Sequence, residues 1–256
     1  MTRESLPVDE LHSWFIRFDE LRDAESWPAR TELLDLSERE RMARFVFERD
    51  RRIYLLAHAL VRTMLSRFAD VAPGAWRFEA NAHGKPSIVE PVGYEWLKFN
   101  LSHTRAGALC GVVRDAEIGV DIETMERATQ CVELADRYFS PTEAAALHRA
   151  PVEQQRETFF RFWTLKEAYI KARGLGLAIP LDHFSFDLTD GDTPISTRCA
   201  APPTITFTSE IQDVPARWQF AELDCGMGLP AAIAVDRGAV GERRIVLRQV
   251  TELPQA

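Results

Sequence analysis

The chain's most chemically loaded stretch is FFRFWTLKEAYIKARGLGL, Phe159 to Leu177. Helical spacing puts Phe160, Trp163, Glu167 and Ile170 on one side of it and Phe162, Leu165 and Tyr169 on the other. A helix apolar nearly all round is buried. Glu167, flanked by Lys166 and Lys171, must then be compensated by a neighbour, a metal or a charged ligand. A second acidic pair lies in GVDIE: on a strand, Asp121 and Glu123 share a face with Gly119, opposite Ile118, Val120 and Ile122. The glycine leaves space beside two carboxylates that repel unless a cation or proton lies between them. With Glu167 as a third oxygen donor, the set suits a hard, water-carrying ion, Mg²⁺ first and Mn²⁺ second. A DxE pair by itself equally suits a solvated strand face.

The elements that must position these residues are of both kinds. A strand is expected early in residues 8–36, followed by a loop around Trp27-Pro28. Ser37, followed by Glu38 and Glu40, predicts a helix cap with acids in the first turn and a helix running to about Arg67. Read as one helix, this segment carries an apolar face beside a basic stripe of Arg41, Arg44, Arg51 and Arg52, which also suits a solvated face. Trp76, Phe78 and Ala80 alternate as a strand that ends in the turn Gly84-Lys85-Pro86. Phe99 to Leu101, ending at Ser102-His103, then Ala108 to Val113, then Ile118 to Glu123, predict an antiparallel meander. Ser140, Pro141 and Glu143 make a capping-box helix start that runs to about Arg149, and the loaded helix ends at Gly174 or Gly176. Further strands follow Pro180, with one more expected over Arg243 to Val250. No internal repeat is visible.

Composition narrows the classes. With 256 residues and 46% hydrophobic content, the chain can bury one large core or two domains. A net charge of −8 argues against a nucleic-acid binder. The amino-terminal stretch lacks a signal-peptide pattern and no apolar run approaches a membrane span, so a cytoplasmic location is expected. Cys110, Cys131, Cys199 and Cys225 are too scattered for a zinc site or a disulfide framework, and reduced, mostly buried thiols are expected. Of 31 basic residues only Lys85, Lys98, Lys166 and Lys171 are lysines. Three of these four fall inside the motifs above.

Together, GKP at 84–86, FNLSH at 99–103, GVDIE at 119–123 and FWTLKEAYIKARGLGL at 162–177 resemble, in order and spacing, the signature set of the Sfp-type 4′-phosphopantetheinyl transferases. The resemblance implies an α+β fold, a pseudo-dimer of two similar α/β halves with the cofactor site between them. Residues 1–117 would be the coenzyme A adenine and 3′-phosphate side, and residues 118–256 the metal site and catalytic helix. The implied activity is Mg-dependent transfer of phosphopantetheine from coenzyme A, a co-substrate, to a serine of an apo acyl or peptidyl carrier protein.

By the same resemblance, Asp121, Glu123 and Glu167 match the metal triad. Glu167 is also the candidate base for the carrier serine, as ligand, base or both. Lys171, Ser102 and His103 match phosphate contacts, while Gly84, Lys85 and Pro86 match the turn along the adenine. Arg41 and Arg44, with Arg39, Arg51 and Arg52 as competitors, fall where relatives bind the 3′-phosphate; Glu38 cannot serve there. The carrier is expected to dock through apolar contacts between Thr124 and Tyr138, and the enzyme to be a monomer using neither nucleic acid nor membrane. Two rivals remain: another Mg-dependent phosphodiester or phosphoryl-transfer enzyme, and a non-catalytic coenzyme A-binding module.

Overall fold

A computed structural model of the chain describes residues 4–22, 24–126, 130–188, 202–226 and 228–253. Strand β1 (Glu10–Arg17) leads through a 3-10 segment to helices α1 (Leu36–Ala43) and α2 (Glu48–Phe68). The hairpin of β2 (Arg77–Ala80) and β3 (Pro86–Glu90) follows, then β4 (Leu97–His103) and β5 (Gly107–Arg114). After a turn at Asp115, which adopts a positive φ of 50°, come β6 (Ile118–Ile122), α3 (Cys131–Tyr138), α4 (Pro141–Arg149) and α5 (Val152–Arg173). The chain continues through β7 (Phe184–Asp187), β8 (Thr204–Phe207), β9 (Trp218–Asp224), β10 (Pro230–Asp236) and β11 (Arg244–Gln249).

One plan occurs twice. Strand, helices, two-stranded hairpin and two antiparallel strands produce the order β1-β5-β4 in one sheet and β6-β10-β9 in the other, and β11 extends the first sheet parallel to β1. The fold is thus α+β, a pseudo-dimer of two similar halves.

Strand alternation builds the layers. In β5, Leu109 and Val113 face Ile118, Val120 and Ile122 of β6 and Ile233 of β10, making a core between the sheets. Ala108, Cys110 and Val112 turn the other way, against Leu56, Leu60 and Met64 of α2. On the second sheet, Ala232 and Ala234 of β10 meet Leu165, Ala168 and Tyr169 of α5. The stack is therefore α2, sheet, sheet, α5, with both sheets covered on both faces. Among the described residues no helix is long and apolar enough to cross a membrane. Cys110, Cys131 and Cys225 are free and buried; Cys199 lies outside the described residues.

Three local expectations need correction. The helix expected over 37–67 is broken: α1 ends at Ala43, and Phe47 is extended before α2 begins. Phe45 turns in to pack on the small cluster around Tyr54, and Arg51 Nε donates to the freed Phe45 carbonyl at 2.9 Å. The helix cap is Asp35, whose Oδ1 accepts from the Glu38 amide at 2.9 Å; Ser37 only donates its hydroxyl to that carboxylate. The meander is interrupted as well: β4 and β5 pair, but β6 leaves for the other sheet and pairs with β10. The capping box at Ser140 and Glu143 and the glycine end of α5 at Gly174, φ 65°, agree with the sequence.

Candidate active site

The site depends on how closely β6 lies on α5. A Cβ built on Gly119 would stand 2.0 Å from the Ala168 carbonyl oxygen and 2.3 Å from the Ala172 amide nitrogen, so only glycine permits this approach. The room expected beside the carboxylates is therefore filled by the backbone of α5. Asp121, two residues on along the same face, is carried to Lys171. From the other half, Asn100 of β4 holds β6 in place: its Oδ1 accepts from the Val120 amide at 2.9 Å. Asn100, within FNLSH, carries no sequence signal for this task, because a contact between sheets leaves no periodicity.

Three side chains from three elements close a triangle. Lys171 Nζ lies 2.6 Å from Asp121 Oδ1 and donates to Ser102 Oγ at 2.8 Å, while Ser102 Oγ donates to Asp121 Oδ1 at 2.8 Å. Among the described residues Asp121 Oδ2 is buried and accepts no hydrogen bond. Glu167, half-buried one turn before Lys171, is pushed up from its ordinary 4.5 to about 7 by burial, then by the Asp121 and Glu123 charges, against a downward pull from Lys171. Glu123 stands just past the end of β6 and lines a pocket of about 580 Å³ together with Phe45, Tyr54, His103, Thr104 and Arg105.

His103 is lowered to about 4, first by packing around the ring and then by the charges of His58, Lys171 and Arg41. Its ring is exposed at the pocket rim, where water offsets part of the burial penalty. The cationic neighbours still hold it neutral at pH 7.

The remaining candidates separate from this cluster. Lys85 does not point into the pocket: its ammonium pairs with Glu117 and donates to the Ala172 carbonyl at 2.7 Å. Gly84, at φ 86°, shapes that turn, and Lys85 and Pro86 line a second pocket of about 400 Å³ with Lys98 and Arg173. Arg41 and Arg44 lie exposed at the end of α1, with the Arg41 guanidinium 6.0 Å from the Tyr54 ring centroid. Lys166 is fully buried on the far side of α5, 2.7 Å from Glu143 Oε2 and donating to the Leu181 and Phe184 carbonyls. It anchors α5 to α4 and takes no part in the cluster. Residues 127–129 of the segment expected to meet a carrier lie outside the described residues.

Among the described residues no three His, Cys, Asp or Glu side chains already converge as a metal centre. The donor set nevertheless fits a hard cation: one carboxylate oxygen is buried with no partner among the described residues, and a second carboxylate is pushed toward its neutral form by burial and by two anionic neighbours. Such carboxylates, next to an ammonium and a neutral imidazole at the rim of an open pocket, belong to the class of enzymes that handle phosphate esters.

Comparison with known proteins places the chain within that class. Residues 22–113 match the family model described as 4′-phosphopantetheinyl transferase, N-terminal, and residues 117–232 match that of the 4′-phosphopantetheinyl transferase superfamily. The 4′-phosphopantetheinyl transferase HetI of Nostoc sp. is 34% identical over 231 residues, covering 90% of each chain. Sfp of Bacillus subtilis is 34% identical over 176 residues, 68% of this chain and 75% of Sfp. The chain belongs to the 4′-phosphopantetheinyl transferase family.

Proposed function

We infer that the protein transfers the 4′-phosphopantetheine group of coenzyme A to a serine of an apo carrier protein, releasing adenosine 3′,5′-bisphosphate. What carries the reading is that a chain of this family brings Asp121, Lys171 and Ser102 into one triangle beside Glu167 and an open pocket. In the transfer the carrier serine oxygen forms a bond to the phosphorus bearing pantetheine. The anhydride P–O bond breaks, and its electron pair leaves with the bisphosphate.

Each residue has a task in this scheme. Glu167, beside the pocket, takes the serine proton. Lys171 places a positive charge against the phosphates as the bisphosphate departs. Ser102 and neutral His103 donate hydrogen bonds to phosphate oxygens. Asp121, Glu123 and Glu167 are the residues that would hold Mg²⁺ or Mn²⁺, and such an ion supplies neutralisation of the pyrophosphate charge. Residues 1–117 serve the adenine and 3′-phosphate end, through Gly84, Lys85, Pro86, Arg41 and Arg44, and residues 118–256 serve the metal end. The enzyme acts as a cytoplasmic monomer on an acyl or peptidyl carrier.

The test is to incubate the protein with coenzyme A, Mg²⁺ and apo carrier domains and weigh the intact carrier. Addition of the phosphopantetheine mass is expected. If several carrier types gain nothing while coenzyme A is hydrolysed, the phosphodiesterase reading replaces this one; if coenzyme A binds unchanged, the binding-module reading does.

A further inference from the structure

Helix α1 is docked by a carboxylate. Of its residues from Leu36 to Ala43, Glu38 is the one that is buried, and a buried glutamate holds its place only when both oxygens are satisfied. Here they are. Glu38 Oε2 accepts from Arg62 Nη2 at 2.5 Å and from the Asp35 amide at 3.0 Å, and Oε1 lies 2.9 Å from His58 Nδ1. Arg62 is fully buried in α2 and donates in turn to the Trp76 carbonyl at 2.8 Å. A helix this short is marginal by itself, so its tertiary contacts, with these polar ones at their centre, fix where it sits.

The anchor reaches the pocket wall along two paths. Arg41 is three residues after Glu38, one turn along the same face of α1. His58 packs against Tyr54, ring centroids 4.0 Å apart and planes tilted by 31°, and Tyr54 both lines the pocket and lies under the Arg41 guanidinium. One carboxylate thus sets the position of the helix carrying Arg41 and of the aromatic ring that Arg41 covers.

We propose that Glu38 and His58 are positioning residues for the phosphate-binding wall of the pocket, holding Arg41 against Tyr54 so that it meets the 3′-phosphate of coenzyme A. The proposal deepens the transferase reading and rests on its assignment of Arg41 to that phosphate. Neither Glu38 nor His58 touches substrate; each acts through Arg41 and Tyr54.

The test compares coenzyme A with its analogue lacking the 3′-phosphate, in steady-state transfer to one carrier. His58→Leu is expected to raise KM for coenzyme A about tenfold, the cost of a hydrogen bond to a charged group, with kcat changed by less than about twofold and KM for the analogue unmoved. His58→Asn, whose amide nitrogen replaces Nδ1, is expected to restore the wild-type KM. Glu38→Gln keeps the shape but weakens the hold on Arg62 and His58; it is expected to give the same selective rise, and it serves if His58→Leu does not fold. Equal effects on both substrates, a loss confined to kcat, or no effect overturns the proposal. Arg41→Ala, run alongside, isolates the underlying assignment: if it fails to discriminate between the substrates, that assignment falls and the positioning role falls with it. If it discriminates and the His58 and Glu38 variants do not, only the positioning role falls.

Discussion

Glu167 should cost the metal-free fold stability above neutral pH, and the cost follows from its surroundings. Burial and the charges of Asp121 and Glu123 raise it from 4.5 to about 7. The folded protein therefore binds this proton more tightly than the unfolded chain does. Its contribution is fully present below pH 4.5 and is lost as pH rises through about 7. A displacement of that size corresponds to about 3 kcal/mol. Glu167 is only half-buried, and its contact with water lowers this to about 1.5 kcal/mol.

Glu167→Gln removes the titration while keeping the shape. With a chelator present, thermal unfolding at pH 5 and pH 8.5 should show the variant gaining roughly 3–6 °C on the wild type at the higher pH, with little difference at the lower. Adding Mg²⁺ at pH 8.5 should raise the wild type more than the variant, because only the wild type offers the third carboxylate. If the two proteins show the same pH dependence in chelator, the charge on Glu167 is not under the strain described.

Three further outcomes are expected. Gly119→Ala should destabilise the protein by about 3 kcal/mol or more and abolish transfer, since its methyl group meets α5 backbone rather than a movable side chain; denaturant unfolding and the carrier mass assay read the two effects. Lys166→Met should cost about 3–5 kcal/mol in denaturant unfolding by stranding the buried Glu143 charge, and adding Glu143→Gln should recover only part of it, because Glu143 Oε1 also accepts from the Phe186 amide. Lys171→Ala should lower kcat on the order of 10²-fold if its charge stabilises the departing bisphosphate, whereas a rise in KM alone would assign it to ground-state binding.

What the sequence made legible were the features that repeat locally. The period of two in GVDIE put Asp121 and Glu123 on one face, the all-round apolar pattern buried α5, and Ser140 with Glu143 marked a helix start. Choices made over long distance were not legible. Nothing in Ile118 to Ile122 says that β6 pairs with β10 rather than continuing beside β5, because an alternating apolar face suits either sheet. Gly119 was noticed, but the space it leaves is filled by a helix some fifty residues later in the chain. Nothing in the Gly84-Lys85-Pro86 turn points to Glu117, which joins Lys85 only through the fold. The repeat of the two halves is written in strand order, which side-chain identities need not preserve.

The same topology explains why the site sits where it does. Face-to-face sheets of this kind are covered by helices on their outer faces and by each other within, so polar chemistry is excluded from the core and pushed to the sheet margins. At one margin β4 ends in Ser102 and His103, β6 carries Asp121 near its end with Glu123 just beyond it, and α5 passes with Glu167 and Lys171. Ser102 comes from one sheet, Asp121 from the other and Lys171 from the helix behind it, so the triangle among them is itself a contact between the halves. Asn100 and Lys85, both in the first half, tie β4 and the hairpin turn to β6 and α5 of the second. A small slip between the halves would therefore open the triangle while the helix-facing core of each half stayed packed, and variants at Asn100 should lose transfer at temperatures where both halves remain folded.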